Sequence, residues 1–526
     1  MDRTANFQSF AEITREFAIA QPDRIALSFE GRNTTYRQFE DHTNQVANAL
    51  LAAGVSNGDR IAYLGKNSDF YFEVFFGAAK MGGATTPINW RLAGPEVAYI
   101  LQDSAAPILF VGPEFVDTVG RVAQECPAVK TIIAVEASTG NWPDYTAWRD
   151  AAAALPPKVG VGAEDDVLQL YTSGTTGLPK GVMLAGRNLM NLRTLMDQSG
   201  EEWAKWSASD VSLMAMPIGH IGGTGWGFWT LSCGAKGIVL RDFDPGRILD
   251  LIESEKINKL FLVPSALQAI VNHPRARQIN YSHLKYISYG ASPIPLALLR
   301  ECVEVFGCGF VQMYGMTETT GAIVALPPED HSLEGTAKMR SAGKPLPGVE
   351  LAIVDASGKR LPAREVGEIA IRSASNMKGY WNRPDATAAT IDEEGWLHTG
   401  DAGYLDGEGY LFIHDRLKDM IISGGENVYP AEVENAIYTH PDVAEVAVIG
   451  VPSERWGEEV KAVIVPKPGR IPQEADVIRW ARERLAAFKV PKSIDVIDAF
   501  PRNATGKVLK RELREKYWKG YERQVN

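Results

Sequence analysis

The sequence predicts an α/β protein: a large N-terminal domain of mixed sheets covered by helices, followed by a small α+β C-terminal domain. Three observations predict it. The chain has 526 residues, more than one hydrophobic core normally spans. Most of it alternates short β-rich runs with helical patterns closed by glycine, the signature of parallel or mixed sheets covered by helices. Beyond residue 415 the texture changes to strand-like runs around one helical pattern, enough for a small separate domain.

The elements follow in order. "DRIALSF" reads as a strand, and "TYRQFEDHTNQVANALLAAG" has apolar residues at helical spacing and ends at Gly54, a C-terminal stop signal. "DRIAYLG" is a second strand and "DFYFEVFFGAAKMGG" a second helix. "VLQLY", "HLKYISYGAS" and "GFVQMYGMTE" are later strand-then-loop units, and ligands of such sheets sit at the carboxyl ends of strands. "IRSASNMKGYWNRPDATAATIDEEGW" reads as a surface crossover. In the last part, "VAEVAVIGV", "KAVIVP" and "SIDVID" are strands around the helical "EADVIRWARERLAAF".

Composition narrows the function. Hydrophobic residues make up 45% and charged residues 23%, and the net charge is −11. That balance offers no basic surface for nucleic acid. The polar start "MDRTANFQSF" lacks a secretory h-region, and "LFLVPSALQAIV" is too short to span a bilayer and contains Pro264. Four cysteines without a CxxC pair fit a reduced, cytoplasmic chain.

"YTSGTTGLPKGV", residues 171–182, is rich in Gly, Ser and Thr and carries Lys180. Such a run is a linker, or a loop whose backbone N–H groups and hydroxyls hold a phosphate. No G-x-x-x-x-G-K-[ST] or G-x-G-x-x-G pattern occurs in the chain, so neither a P-loop nor a dinucleotide fingerprint is present. The order of the residues is more specific. The run resembles the signature of the adenylate-forming superfamily of acyl-CoA synthetases, peptide-synthetase adenylation domains and luciferases. The resemblance continues in order through "QMYGMTET", "GWLHTGD", "DRLKDMIISGGENVYPAEVE" and "PRNATGKVLK", across essentially the whole chain.

The resemblance implies a division at 417/418: an AMP- and acyl-binding domain over 1–417 and a mobile domain over 418–526, hinged near Lys418. It implies ATP, Mg²⁺ and CoA as reactants. Thr172, Ser173, Gly174, Thr175, Thr176 and Lys180 would hold the β/γ-phosphates. Gln312, Met313, Tyr314, Gly315, Met316 and Thr317 would contact the nucleotide, with Tyr314 against adenine; an aromatic face stacks a base. Gly290, Ala291 and Ser292 would flank the adenine. Glu318, with Thr175 nearby, would bind Mg²⁺, a hard cation that takes carboxylate oxygen. Asp401 would accept the ribose hydroxyls, and Arg416 would add donors to ribose or phosphate.

Lys507, alone, reads as a solvated surface charge. The resemblance instead brings it into the site from the small domain, to stabilise charge where the acid meets the α-phosphate. Ser423, Gly424 and Gly425 would line the CoA approach. There the chain departs from plant coumarate–CoA ligases: Gly424 stands for a lysine and Asn427 for a glutamine.

"MPIGHIGGTGWGFWTLSCGAKG", residues 216–237, is the expected wall of the acyl pocket. His220 is either a gate between half-reactions or a satisfied histidine at a strand end. Ile221, Gly222, Gly223, Trp226, Tyr289, Gly290 and Gly315 complete the acyl set, the glycines leaving room and Trp226 offering a flat face. Trp226 tilts the expectation slightly to an aromatic acid of the hydroxycinnamic type, such as ferulate, over a medium-chain fatty acid.

The resulting expectation is an AMP-forming acyl-CoA synthetase, monomer or homodimer, with no nucleic-acid partner and no integral membrane segment. Its rivals are an enzyme that loads a carrier protein, told apart by acceptor use; a luciferase-like oxidase, told apart by oxygen and light; and a non-catalytic acyl-nucleotide binder, disfavoured by the presence of both Glu318 and Lys507.

Overall fold

The computed structural model describes residues 7–136, 141–172, 178–416 (backbone alone at 415 and 416), 419–423, 426–453, 455–502 and 507–519. Among the described residues the strands form four sheets, of nine, seven, four and five strands. Strands Val211–Met214, Lys236–Val239, Lys259–Leu262, Tyr286–Gly290 and Gly309–Met316 run parallel in the nine-stranded sheet. Gly321–Leu326 closes antiparallel on the last of them. In the seven-stranded sheet, parallel strands lead to the antiparallel hairpin of Asp166–Thr172 and Lys180–Ala185. Among the described residues no helix is long and apolar enough to cross a membrane.

The helix patterns read from the sequence form where their caps predict. Helix Tyr36–Ala52 starts with a capping box: the Gln38 N–H donates to Thr35 Oγ1 at 3.2 Å and the Thr35 N–H to Gln38 Oε1 at 2.9 Å. Helix Asp69–Lys80 is buried along all of its length, its apolar residues spread over every face. Its polar residues are paired. Asp69 meets Arg32 at 2.6 Å, Glu73 meets His42 and Arg149 at 2.7 Å each, and Lys80 meets Glu40 at 2.6 Å. Burial still pulls the Lys80 ammonium down to about 8.

Two expectations change. His220, for which a strand end is one of the two readings, instead caps a helix, Ile221–Ser232, formed by the glycine-rich stretch. The expected surface crossover contains a short strand, Gly379–Tyr380, that joins the edge of the seven-stranded sheet beside Lys180–Ala185, with Met377 and Tyr380 buried.

The four-stranded sheet ends with strand Leu411–Arg416, and the small sheet begins with Ile421–Ser423. Lys418 lies outside the described residues. The small domain has its own core, including Ile421, Val433, Val448, Val460, Ile464 and Val477. It touches the large domain where Gln268 Nε2 donates to Tyr438 Oη at 3.0 Å and to the Ala444 carbonyl at 3.3 Å.

Candidate active site

The hairpin of the seven-stranded sheet opens toward the turn that follows strand Gly309–Met316. Thr172 and Lys180 face each other at its mouth; Ser173, Gly174, Thr175 and Thr176, between them, lie outside the described residues. Thr172 Oγ1 donates to Glu318 Oε1 at 3.3 Å, and Tyr380 Oη donates to the same oxygen at 3.0 Å. Lys180 Nζ stands 4.8 Å from the centre of the Tyr380 ring, within cation–π range. Burial, and then the Glu318 charge, push the Tyr380 phenol well above its usual range, so it stays a donor.

Glu318 is held by a tightly specified turn. Thr317–Thr319 is a single 3₁₀ turn, and Thr319 Oγ1 accepts from the Met316 N–H at 2.9 Å and donates to the Gly321 carbonyl at 2.8 Å. Thr320 takes the left-handed φ of 62°, a strained value for a β-branched residue. It is fastened by its own hydroxyl, which donates to the Ser375 carbonyl at 2.5 Å. The Met377 N–H donates to the Glu318 carbonyl at 2.8 Å. A Cβ on Gly315 would lie 1.8 Å from the Gly321 carbonyl oxygen, so only glycine lets the turn fold back.

The residues read as the nucleoside end bring two sheets together. Tyr314 Oη, on the nine-stranded sheet, donates to Asp401 Oδ2, on the four-stranded sheet, at 2.8 Å. Asp401 pairs through its backbone with Arg416. Gly290 lies so close to the next strand that a Cβ would sit 2.1 Å from the Met313 carbonyl oxygen. Ala291 then turns the chain with φ 66°, placing Ser292 after the strand end. Tyr289, expected on the acyl side, is wholly buried, with its ring beside Phe310 and His331. Its hydroxyl lies 3.2 Å from Gln312 Oε1 and 3.0 Å from His331 Nε2.

His220 caps helix Ile221–Ser232 with its backbone; its carbonyl accepts from the Gly223 and Thr224 N–H groups at 3.0 and 3.1 Å. Its Nε2 is buried without a hydrogen-bond partner among the described residues. Burial, then Arg91, bring the imidazole down to about 4, so it is neutral near pH 7. His331 is likewise brought to about 4 by burial. Unfolded histidines bind the protons that these two refuse, so stability is full above the unfolded value and falls as pH drops toward 4. A loss of about 1 kcal/mol per histidine per pH unit is expected in that window. Urea midpoints at pH 7 and pH 5 measure it.

Ile221, Gly222 and Gly225 form the partly exposed face of this helix, and a Cβ on Gly321 would point at Ile221, 3.6 Å from its Cγ1. The expected acyl wall therefore abuts the Glu318 turn. The other residues read into it do different work. A Cβ on Gly223 would lie 2.2 Å from the Pro217 carbonyl oxygen, so that glycine serves backbone packing. Trp226 is in the core: its Nε1–H donates to Ser212 Oγ at 2.9 Å, and its ring packs against Trp206, Trp229 and Phe261. Trp226→Phe should cost about 1–3 kcal/mol of stability, from the orphaned Ser212 hydroxyl and the lost volume. It should leave the ranking of acids unchanged, as a denaturation curve and an acid panel would read.

Residues 14–381 match the family model for AMP-binding enzymes, and residues 432–507 the one for the AMP-binding enzyme C-terminal domain. The chain belongs to the AMP-binding enzyme family. Relatives place it among AMP-forming acid–thiol ligases. A protein named fatty acid–[acyl-carrier-protein] ligase ScoC, from Streptomyces coeruleorubidus, is 42% identical over 531 residues, covering 100% of both chains. A feruloyl-CoA synthase of Amycolatopsis sp is 40% identical over 501 residues, 94% of this chain and 96% of its own. The crystal structure of the anthranilate CoA ligase AuaEII with anthranoyl-AMP superposes with a TM-score of 0.89 at 28% identity, covering 98% of each chain.

In this AMP-binding enzyme, Lys507 stands on the small domain, just before the Val508 that bridges to Arg502. Ser423 is buried, pairing with Glu426 and Gly457. Gly424 and Gly425 lie outside the described residues. Sequence reasoning missed Tyr380; the run Met377, Tyr380, Trp381, apolar within a polar stretch, is the signal that marks it.

Proposed function

We propose that this enzyme joins a carboxylic acid to CoA in two half-reactions. An acid oxygen attacks the α-phosphorus of ATP, the bond to the bridging oxygen breaks, and pyrophosphate leaves. The CoA thiolate then attacks the acyl carbon, the C–S bond forms, the acyl C–O bond breaks, and AMP leaves. One observation carries the reading: two hydroxyls converge on the carboxylate of Glu318 at the mouth of the hairpin bearing the glycine-rich run and Lys180. A single fixed carboxylate beside a phosphate loop suits Mg²⁺, which takes one or two carboxylates and completes its shell with substrate phosphates and water. When bound, the ion neutralises phosphate charge.

On this reading Tyr314 stacks the adenine, Asp401 accepts the ribose hydroxyls, and Lys180 meets the β/γ-phosphates. Lys507 enters from the small domain for the first half-reaction. Rotation near Lys418 then withdraws it and opens the CoA path along Ser423–Gly425. His220, neutral and with an unpartnered Nε2, stands at the junction of acyl wall and helix start. No enzyme nucleophile is required, since the adenylate itself is the activated acyl donor. The acid is aromatic, of the hydroxycinnamic type such as ferulate, or a medium-chain fatty acid. With Trp226 engaged in the core, the slight tilt toward an aromatic acid loses its residue.

Transfer to a carrier-protein thiol is a second reading of the same chemistry, favoured by the likeness to the fatty acid–[acyl-carrier-protein] ligase over the whole chain. Pyrophosphate release over a panel of aryl and aliphatic acids, followed by thioester formation with CoA or with a phosphopantetheinyl carrier protein, tests both. Adenylation without transfer to CoA would overturn the first reading.

A further inference from the structure

Tyr380 has no part in the chemistry described so far, yet it touches both charged groups of the phosphate end. The chain segment that carries it is built for that contact. Strand Gly379–Tyr380 pairs with Lys180–Ala185, placing Tyr380 opposite Val182. Lys180 is two residues from Val182 and shares its face, so Tyr380 and Lys180 are diagonal neighbours across the ladder. Gly379 has φ 145°, and a Cβ there would strike Thr387 at 2.7 Å. The Tyr380 N–H is held by Thr387 Oγ1 at 2.9 Å, and the next residue's N–H by the Gly181 carbonyl at 2.7 Å. Backbone bonds thus fix the tyrosine on both sides. Its ring then lies under the Lys180 ammonium and its hydroxyl on Glu318 Oε1.

We propose that Tyr380 is a positioning residue for the metal-binding carboxylate: it fixes the plane of Glu318 and ties its place to that of Lys180, so that Mg²⁺ and the β/γ-phosphates meet at a set spacing. This rests on the assignment of Mg²⁺ to Glu318 made above. Two hydroxyl donors on one carboxylate oxygen restrict its rotation, and a metal site with rotating ligands binds weakly. The tyrosine contributes through its hydroxyl, while its ring serves Lys180.

Tyr380→Phe keeps the ring, the strand pairing and the contact with Lys180, and removes only the hydroxyl. Mn²⁺ binding, followed by electron paramagnetic resonance in the presence of a non-hydrolysable ATP analogue, should weaken about tenfold, the range seen when outer-shell partners of a metal ligand are removed. The Mg²⁺ concentration for half-maximal adenylation should rise by a similar factor, while the KM for the acid and the rate of thioester formation from a supplied acyl-adenylate stay as in the wild type. In a Glu318→Gln background the same substitution should have no further effect on Mn²⁺ binding. If Tyr380→Phe binds Mn²⁺ like the wild type while Glu318→Gln does not, the tyrosine only packs, and the proposal fails alone. If Glu318→Gln also binds Mn²⁺ normally, the metal assignment fails and takes the proposal with it.

Discussion

Lys507→Ala should slow adenylation by about 10²–10³-fold, the range for removing one preorganised charge-stabilising group, and leave thioester formation from supplied acyl-adenylate intact. The lysine is carried by the small domain, beside the bridge between Arg502 and Val508, whereas Glu318, Thr172 and Tyr380 all belong to the large one. On the proposed reading, that charge acts only while the small domain is docked for the first half-reaction. Pyrophosphate release reports that half, and conversion of synthetic acyl-adenylate with CoA reports the other. Equal losses in both would show that Lys507 serves the fold or the thiol step instead.

Lys418→Pro should give the reverse pattern: near-normal pyrophosphate release in a first turnover and thioester formation reduced by about 10²-fold, since a proline locks φ near −65° at the residue proposed to absorb a domain rotation. The flanks leave little else to turn. Strand Leu411–Arg416 is anchored to Leu397–Leu405, and Ile421–Ser423 is paired within the small sheet. The hydrogen bonds of Gln268 to Tyr438 and Ala444, and the stacking of His414 on Tyr429 with ring centres 4.4 Å apart, are contacts that such a motion would exchange. Rapid-quench measurement of the two halves separates the outcomes, and unchanged steady-state turnover would remove Lys418 as the hinge.

What the sequence made legible was the part written in local signals. Helix Tyr36–Ala52 with its cap, the fully buried helix Asp69–Lys80 and the strands at 25–29, 60–64, 286–290 and 309–316 all form where periodicity and stop signals place them. Ordered motifs point to Glu318, Tyr314 and Asp401, and the structure joins the last two through a hydrogen bond of 2.8 Å. What failed was written in long-range packing. Helix Ile221–Ser232 contains four glycines that argue against a helix. It forms because close approaches to Pro217 and Phe72 exclude side chains at Gly223 and Gly227, so tertiary packing overrides propensity. Trp226 looked like a pocket face because aromatic character is readable, whereas the Ser212 hydroxyl that holds it inside is not. For Tyr380 the sequence offers only the apolar run around it, since its partner Glu318 lies 62 residues away.

The hydrogen bond from Tyr314 to Asp401 joins residues of two different sheets. On the proposed reading, one nucleotide touches both, its base on the tyrosine and its ribose on the aspartate. Nucleotide would therefore act as a stitch between layers. Each stage of the cycle that holds ATP, adenylate or AMP would be sewn more tightly than the empty enzyme, with stabilisation growing as the logarithm of ligand concentration over its Kd. Release of AMP would then loosen the large domain itself as well as vacate its site, so the cycle of the small domain would be accompanied by a slower breathing of the body on which it turns.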